Sequence, residues 1–246
     1  MSTSRRSARP TSPTARTSAA LAAALLATPC VALADDAGSD LGVVVVSANR
    51  TPTEEAAIGS SVTVVTRSEI EKSGAVLVQD YLTRLPGLGF SQPGGPGSTL
   101  TVDMRGMGAS YVLVRIDGID VSDPTGTRSQ AALEHLTLGD VERIEILRGS
   151  QSALYGGTAV AGVIDITTRA AAEKGIHHAL TVGGGSYGTA SGAYTLSAAT
   201  DAFEGSATIQ RYHTDGFSSA DEHNGNTERD GYDQTTASLN AAWRIS

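Results

Sequence analysis

The sequence has a single cysteine, Cys30, and it falls inside a segment that reads as a cleaved leader. Disulfides, thiol chemistry and thiolate-based zinc sites are therefore excluded for the mature chain. Long apolar runs are missing as well: Ala19 to Leu26 is short and Ala-rich, too short to anchor in a bilayer. Basic charge is scarce. Met1 to Ala34 holds four of the 18 basic residues (Arg5, Arg6, Arg9 and Arg16) and none of the 26 acidic ones, so the remainder sets 14 basic against 26 acidic residues, a net charge of −12. Nucleic acid is a poor partner for such a chain. Catalytic frames are absent too. Ser152 lacks the Gly-x-Ser-x-Gly frame, the Gly-rich stretches carry no Walker lysine, and Gly106 and Gly108 open no helix in a βαβ unit. Among His135, His177, His178, His213 and His223, the one adjacent pair would point to opposite faces of a strand, so no metal cluster follows from spacing. The chain is not expected to be an enzyme.

What is present begins with an address. The acid-free, Arg-containing start, the short apolar run and the small-x-small pattern Ala32 Leu33 Ala34 predict a secretory signal over residues 1–34, with an organellar transit peptide as the alternative. Asp35 to Asp40 is polar and expected to be disordered. It leads into Val43, Val44, Val45, Val46 and Ser47, a β-prone run closed off by Pro52. Two readings stand: a first strand of the domain, or a tethered peptide that pairs with the exposed sheet edge of another protein.

A compact α+β pattern follows. Ser61 to Thr66 reads as a strand, Ser68 with Glu71 as a capping box, and Val76 to Arg84 as a helix ended by Pro86 and Gly87. Ser91, Gln92, Gly94, Gly95, Gly97 and Ser98 belong to an uncharged, turn-rich loop, either a plain connection or a ligand-facing one, since Pro and Gly give a stiff, closely approachable backbone. Leu100 to Met104 and Tyr111 to Ile116 alternate as a strand pair around Arg105 and Gly106. The stretch VERIEILRGSQSALYG, Val141 to Gly156, places Glu142, Arg143, Glu145 and Arg148 on a short strand of the kind that belongs on a solvated edge. A turn, a helical piece capped by Ser150 and stopped by Gly156, and a second apolar strand, Val163 to Ile166, complete it.

The ordered series LTRLPGLGF, MRGMG, YVLVRIDGI and VERIEILRGSQSALYGGTAVAGVIDITTR resembles the plug domain of TonB-dependent outer-membrane receptors. The opening VVVVSANR is similar to the vitamin B12 (cobalamin) receptors among them. The resemblance implies a signal peptide at 1–34, an N-terminal segment at 35–54 with a TonB box at 43–47, a plug at 55–170 and barrel strands at 171–246. It implies TonB and its energising complex as partners, outer-membrane lipid around the barrel of a Gram-negative cell, and a small-molecule ligand such as cobalamin or a siderophore. The loop Ser91 to Ser98 is then ligand-contacting, and Glu142, Arg143, Glu145 and Arg148 face the polar lumen of the barrel, largely solvated in a chain that lacks most of that wall. Departures from the family pattern include Gly42 and Val43 at the box, Ser150 for a frequent Pro, Ala161 for a frequent Gly and Asp165 for a frequent Asn.

The remainder offers independent support. Ala190, Gly192, Tyr194, Leu196 and Ala198 alternate with Ser191, Thr195 and Ser197; Phe203, Ala207 and Ile209 with Ser206, Thr208 and Gln210; Ala237, Leu239, Ala241 and Trp243 with Ser238 and Asn240. This is the dyad pattern of membrane barrel strands, although a soluble antiparallel sheet produces the same alternation. A tight Thr200–Asp201 turn and a long 213–233 segment fit a periplasmic turn and an extracellular loop. That loop is rich in Asp. By resemblance to the cobalamin receptors, Asp230, with Asp221, would hold calcium, but Arg229 replaces a neighbouring acid and a solvated loop is the competing reading. No other cofactor is expected. Four strands fall short of the roughly 22 of such barrels, so the fold expected is an α+β plug followed by antiparallel strands of an incomplete transmembrane β-barrel, a truncated receptor. The function that the resemblance implies is energy-coupled uptake of a large scarce nutrient, cobalamin first; a ferric-siderophore or haem receptor, or a stand-alone plug-like periplasmic module, are the alternatives.

Overall fold

The computed structural model describes residues 44–45, 53–54, 61–125, 129–171, 173–220, 223, 225 and 228–244. These belong to one compact unit, Leu41–Ser246. The expected leader and polar segment at 1–40, with Val43, Val46, Ser47 and Asp221, lie outside the described residues.

The first described elements are two short antiparallel strands, β1 (Val44–Val45) and β2 (Thr53–Glu54). Strand β3 (Ser61–Thr66) runs into helix α1 (Arg67–Ser73), and α2 (Val78–Leu82) follows. The capping box differs from expectation. Thr66 and Glu69 form it, with the Thr66 N–H donating to the Glu69 carboxylate at 2.7 Å, while Glu71 pairs with Arg67 at 2.8 Å. Helix α2 is shorter than predicted because Leu77 is drawn into a bridge with Thr137. Strand β4 (Leu88–Ser91) pairs with β5 (Thr101–Met104), so β5 is not the partner of β6 (Val112–Ile116) as anticipated. Arg105 and Gly106, both at positive φ, swing the chain away after Met104, and β6 enters a different sheet.

That sheet has the order β3-β10-β11-β6-β7, with β7 at Ile119–Asp120, β10 at Val141–Arg148 and β11 at Gly162–Thr168. A separate two-stranded piece joins β8 (Ser122–Asp123) to β9 (Gln130–Ala131). The charged strand β10 is therefore central, flanked antiparallel by β3 and β11, and not a solvated edge. One face of the sheet, through Val65, Ile144, Ile146, Ile164 and Ile166, packs with Ile70, Val78 and Leu82 of the helices into the main core. The opposite face carries Leu113, Leu147 and Val163 under Ala159 and Val45. The helical piece after β10 is α3 (Ser152–Tyr155), begun by Gln151 rather than Ser150, whose hydroxyl instead meets that of Ser152 at 2.9 Å.

The rest is an antiparallel meander, β12 (Gly175–Gly184), β13 (Ala190–Ala199), β14 (Phe203–Thr214) and β15 (Tyr232–Trp243). Its polarity is inverted relative to a sheet folded in water. Thr195, Thr208 and Gln210 point toward the α+β unit and are buried, whereas Leu180, Leu196, Ile209 and Leu239 point outward; Gln210 is 4% exposed and Leu239 82%. An apolar outer face over a polar inner one is stable only where the surroundings are less polar than the interior. Phe203 and Trp243 meet edge to face at 5.9 Å beside the tight turn.

Candidate functional site

Three places gather the residues singled out by sequence. The first is the underside pocket that receives Val45. This residue is fully buried against Leu113, Leu147, Ala159 and Val163, with Val62, Val64 and Tyr155 around it. The valine run is thus docked at this point, and its backbone pairs with Thr53 and Glu54.

The second is a row of charge on the same sheet face. In register across three strands lie Glu145 of β10, Asp165 of β11 and Arg115 of β6. Arg143 reaches Glu145 at 3.0 Å and Arg115 reaches Asp165 at 3.2 Å, so two carboxylates side by side are each matched by a guanidinium. Arg115 also donates to the Gly118 carbonyl and lies over the Tyr155 ring, 4.9 Å from its centroid. Burial pushes the Asp165 carboxyl above its usual range, with Arg115 pulling the other way. The expectation of four largely solvated charges is corrected here. Glu142 remains exposed with Arg169 at 3.8 Å, but Glu145 is 1% exposed and Arg148 only 7%. Arg148 shares the face of Ile144 and Ile146 and donates to the Pro86 carbonyl at 3.1 Å and to the Thr63 hydroxyl at 2.6 Å. Its Nη2 is buried without a hydrogen-bond partner among the described residues. Burial first, and then the neighbouring Arg105, lowers the pKa of this guanidinium.

The third place is the end of the meander that bears the long 215–231 connection, opposite the tight turn. Here the predicted ligand loop is ordered by its own bonds. Gln92 Nε2 donates to the carbonyls of Gly95 at 3.1 Å and Ser98 at 3.2 Å, and to Gln79 Oε1 at 3.5 Å; the Ser98 hydroxyl donates to Gly95 at 2.8 Å. The loop meets the long connection through the Gly95 N–H, which donates to the Ser219 hydroxyl at 3.3 Å. Asp230 accepts from the Ser219 N–H at 2.8 Å, and the hydrogen bonding to Ser219 holds its carboxyl below the usual range. Asp215 faces Arg229 and His213, and Asp233 faces Arg211 and His213. Among the described residues no three acidic or histidine groups are arranged to hold a metal. Asp215, Asp230 and Asp233 are matched to arginine, histidine or backbone N–H groups, and Asp221, the other residue expected to hold calcium, lies outside the described residues.

Sequence reasoning missed the residues by which the meander grips the α+β unit. Gln210 Oε1 accepts from the Gly139 N–H at 2.9 Å, Ser206 donates to the Arg169 carbonyl at 2.5 Å, and Asn240 donates to Thr168 at 3.2 Å. His135, Tyr232 and Gln234 add a further contact near the loop. The signal was available: every barrel-side member sits on the polar phase of the alternation.

A model of the TonB-dependent Receptor Plug Domain family matches residues 54–163, the span that holds the Val45 pocket, most of the charge row and the Gln92 loop. The chain carries the plug domain of a TonB-dependent receptor. Over 167 residues it is 36% identical to the vitamin B12 transporter BtuB of Vibrio vulnificus, covering 68% of this chain and 27% of that protein. The ferric yersiniabactin uptake receptor FyuA from Yersinia pestis superposes with a TM-score of 0.59 at 25% identity, covering 74% of this chain and 28% of that one. The siderophore receptor PirA from Pseudomonas aeruginosa gives 0.52 at 26%, covering 75% and 32%. The chain thus spans between a quarter and a third of the length of these relatives, which are transport receptors rather than enzymes. In this TonB-dependent receptor chain the α+β unit is the plug, and the meander is a run of four antiparallel strands whose sheet, among the described residues, is open.

Proposed function

We propose that this chain belongs to an outer-membrane receptor of a Gram-negative bacterium that takes up a large scarce nutrient, cobalamin first, with energy delivered through TonB. The observation that carries the reading is the inverted meander packed on the plug: outward Leu180, Leu196, Ile209 and Leu239 suit a lipid environment, and a plug module free in the periplasm has no use for them. Strands of 10 to 12 residues, tilted by about 45°, rise about 24–29 Å, close to the height of an outer-membrane apolar band. Cobalamin is favoured by the 36% identity to a vitamin B12 transporter, and a ferric siderophore is the second reading because the superposed structures include siderophore receptors.

In this reading the ligand settles on the Gln92–Ser98 loop, and the segment 43–47 leaves its pocket to add a strand to TonB. Backbone hydrogen bonds supply the affinity of such strand addition. Val45 must then exchange one β partner and one apolar pocket for another. Two experiments test the proposal. Titration of the full-length receptor with cyanocobalamin and with ferric siderophores is expected to give saturable binding for the first; its absence refutes the cobalamin assignment. Capture by the periplasmic domain of TonB is expected for the native protein and lost on Val45→Pro, and equal capture of both would sink strand addition.

A further inference from the structure

We infer that Tyr232, His135 and Gln234 form a clamp that positions the plug's Gln92–Ser98 loop from the first residues of β15. Tyr232 and Gln234 are two apart on one strand, so both side chains point to the plug. The Tyr232 hydroxyl donates to Gln234 Oε1 at 2.7 Å, which leaves it as the acceptor toward His135 Nδ1 at 2.8 Å and fixes Nδ1 of that imidazole as protonated. Gln234 Nε2 returns a bond to the His135 carbonyl at 2.6 Å, closing a ring of three hydrogen bonds around one plug residue. The His135 and Tyr232 rings stack, with centroids 6.1 Å apart and planes inclined by 17°.

Each side of this ring leads to the loop. On one side the Tyr232 ring lies against Gly97, which has φ +85° and no room for a Cβ, since one placed there would run into that ring. On the other side the segment after His135 is bonded to the start of α2: the Val78 N–H donates to the Leu136 carbonyl and the Leu138 N–H to the Val76 carbonyl, both at 2.9 Å. Within α2, Gln79 Oε1 accepts from Gln92, the residue that organises the loop. The loop is thus held at Gln92 and at Gly97, and both supports converge on Tyr232 and His135. Tyr232 is a positioning residue. Its consequence for ligand capture rests on the receptor reading above; the clamp itself does not.

The test is hydrogen exchange on the full-length protein in detergent, following peptides that cover residues 92–98 and 133–139. Tyr232→Phe keeps the ring over Gly97 but removes two of the three bonds, and is expected to speed exchange in 133–139 on the order of tenfold. The Gly95 and Ser98 amides should then change less. Tyr232→Ala is expected to speed both segments to that extent, with β12 to β15 unchanged. His135→Asn offers an amide donor near the place of Nδ1 and should restore the protection that His135→Ala loses, a rescue that a merely space-filling role would not produce. Unchanged exchange at 92–98 in Tyr232→Ala, or equal behaviour of His135→Asn and His135→Ala, overturns the clamp. Cyanocobalamin affinity measured on the same variants separates the two ideas: absence of binding by the native protein counts against the cobalamin reading and leaves the exchange result standing.

Discussion

Replacing Arg115 with alanine should destabilise the plug far more than replacing its partner Asp165 with asparagine, and the two changes together should cost much less than their sum. Arg115 and Asp165 are 3.2 Å apart with side chains 18% and 16% exposed. Removing one member of a fully buried pair costs about 3–5 kcal/mol, and the partial exposure here trims that to about 2–3 kcal/mol. Losing the bonds to the Gly118 carbonyl adds about 1 kcal/mol, and losing the contact with the Tyr155 ring about 0.5–1 kcal/mol. Arg115→Ala is therefore expected to cost about 4 kcal/mol. Asp165→Asn removes a carboxylate whose burial already disfavours its charge, and should cost less than about 1 kcal/mol. In the double variant no carboxylate is stranded, so the coupling should be about 2 kcal/mol.

The same pair gives a pH signature. Because the folded-state pKa of Asp165 is raised, its penalty is present in full above that value and is relieved as pH falls toward the ordinary carboxylate range near 3.8. The native protein should gain stability relative to Asp165→Asn as pH is lowered from 7. Urea unfolding of the plug sheet, read by pulse proteolysis at pH 7 and pH 5, measures both effects. Single-variant costs that add to within about 0.5 kcal/mol, or parallel pH curves, would refute the reasoning.

Two further outcomes are expected. Leu239→Arg, on the outward face, should lower insertion into lipid vesicles by about 2–4 kcal/mol, while Ser238→Ala on the inner face stays within about 1 kcal/mol; equal insertion of the two would contradict the assignment of faces. Gly162→Ala places a Cβ against the Leu147 carbonyl and the Met104 sulfur at the head of β11, and should cost at least about 3 kcal/mol, measured as lost exchange protection in β10 and β11.

The alternation of β13 to β15 was readable because each residue of a one-sided strand reports its own face, so the inward and outward sets were named correctly from the string alone. The family was readable because its motifs come in a fixed order. The position of β10 was not, since the groups that make the buried Arg148 tolerable, the Pro86 carbonyl and the Thr63 hydroxyl, lie on segments that only the topology brings alongside. The cap of α1 shows a subtler limit. Both Thr66 with Glu69 and Ser68 with Glu71 fit the same spacing, and the choice was made by where β3 stops pairing with β10, at Thr66. Likewise the clamp joins residues nearly a hundred positions apart, and nothing local distinguishes His135 from the other histidines.

The inverted polarity of the meander also sets an order of events in assembly. The plug sheet has an apolar face to bury and gains by collapsing in water; β12 to β15 gain nothing there, because closing them in water would hide threonine and glutamine and display leucine and isoleucine. In the outer-membrane reading proposed above, their driving force begins at the bilayer. In the proposed receptor the bonds from Gly139 to Gln210 and from Ser206 to Arg169 are therefore the last to close, and until then the plug is ready to fold while the strands from Gly175 to Trp243 must be kept from aggregating.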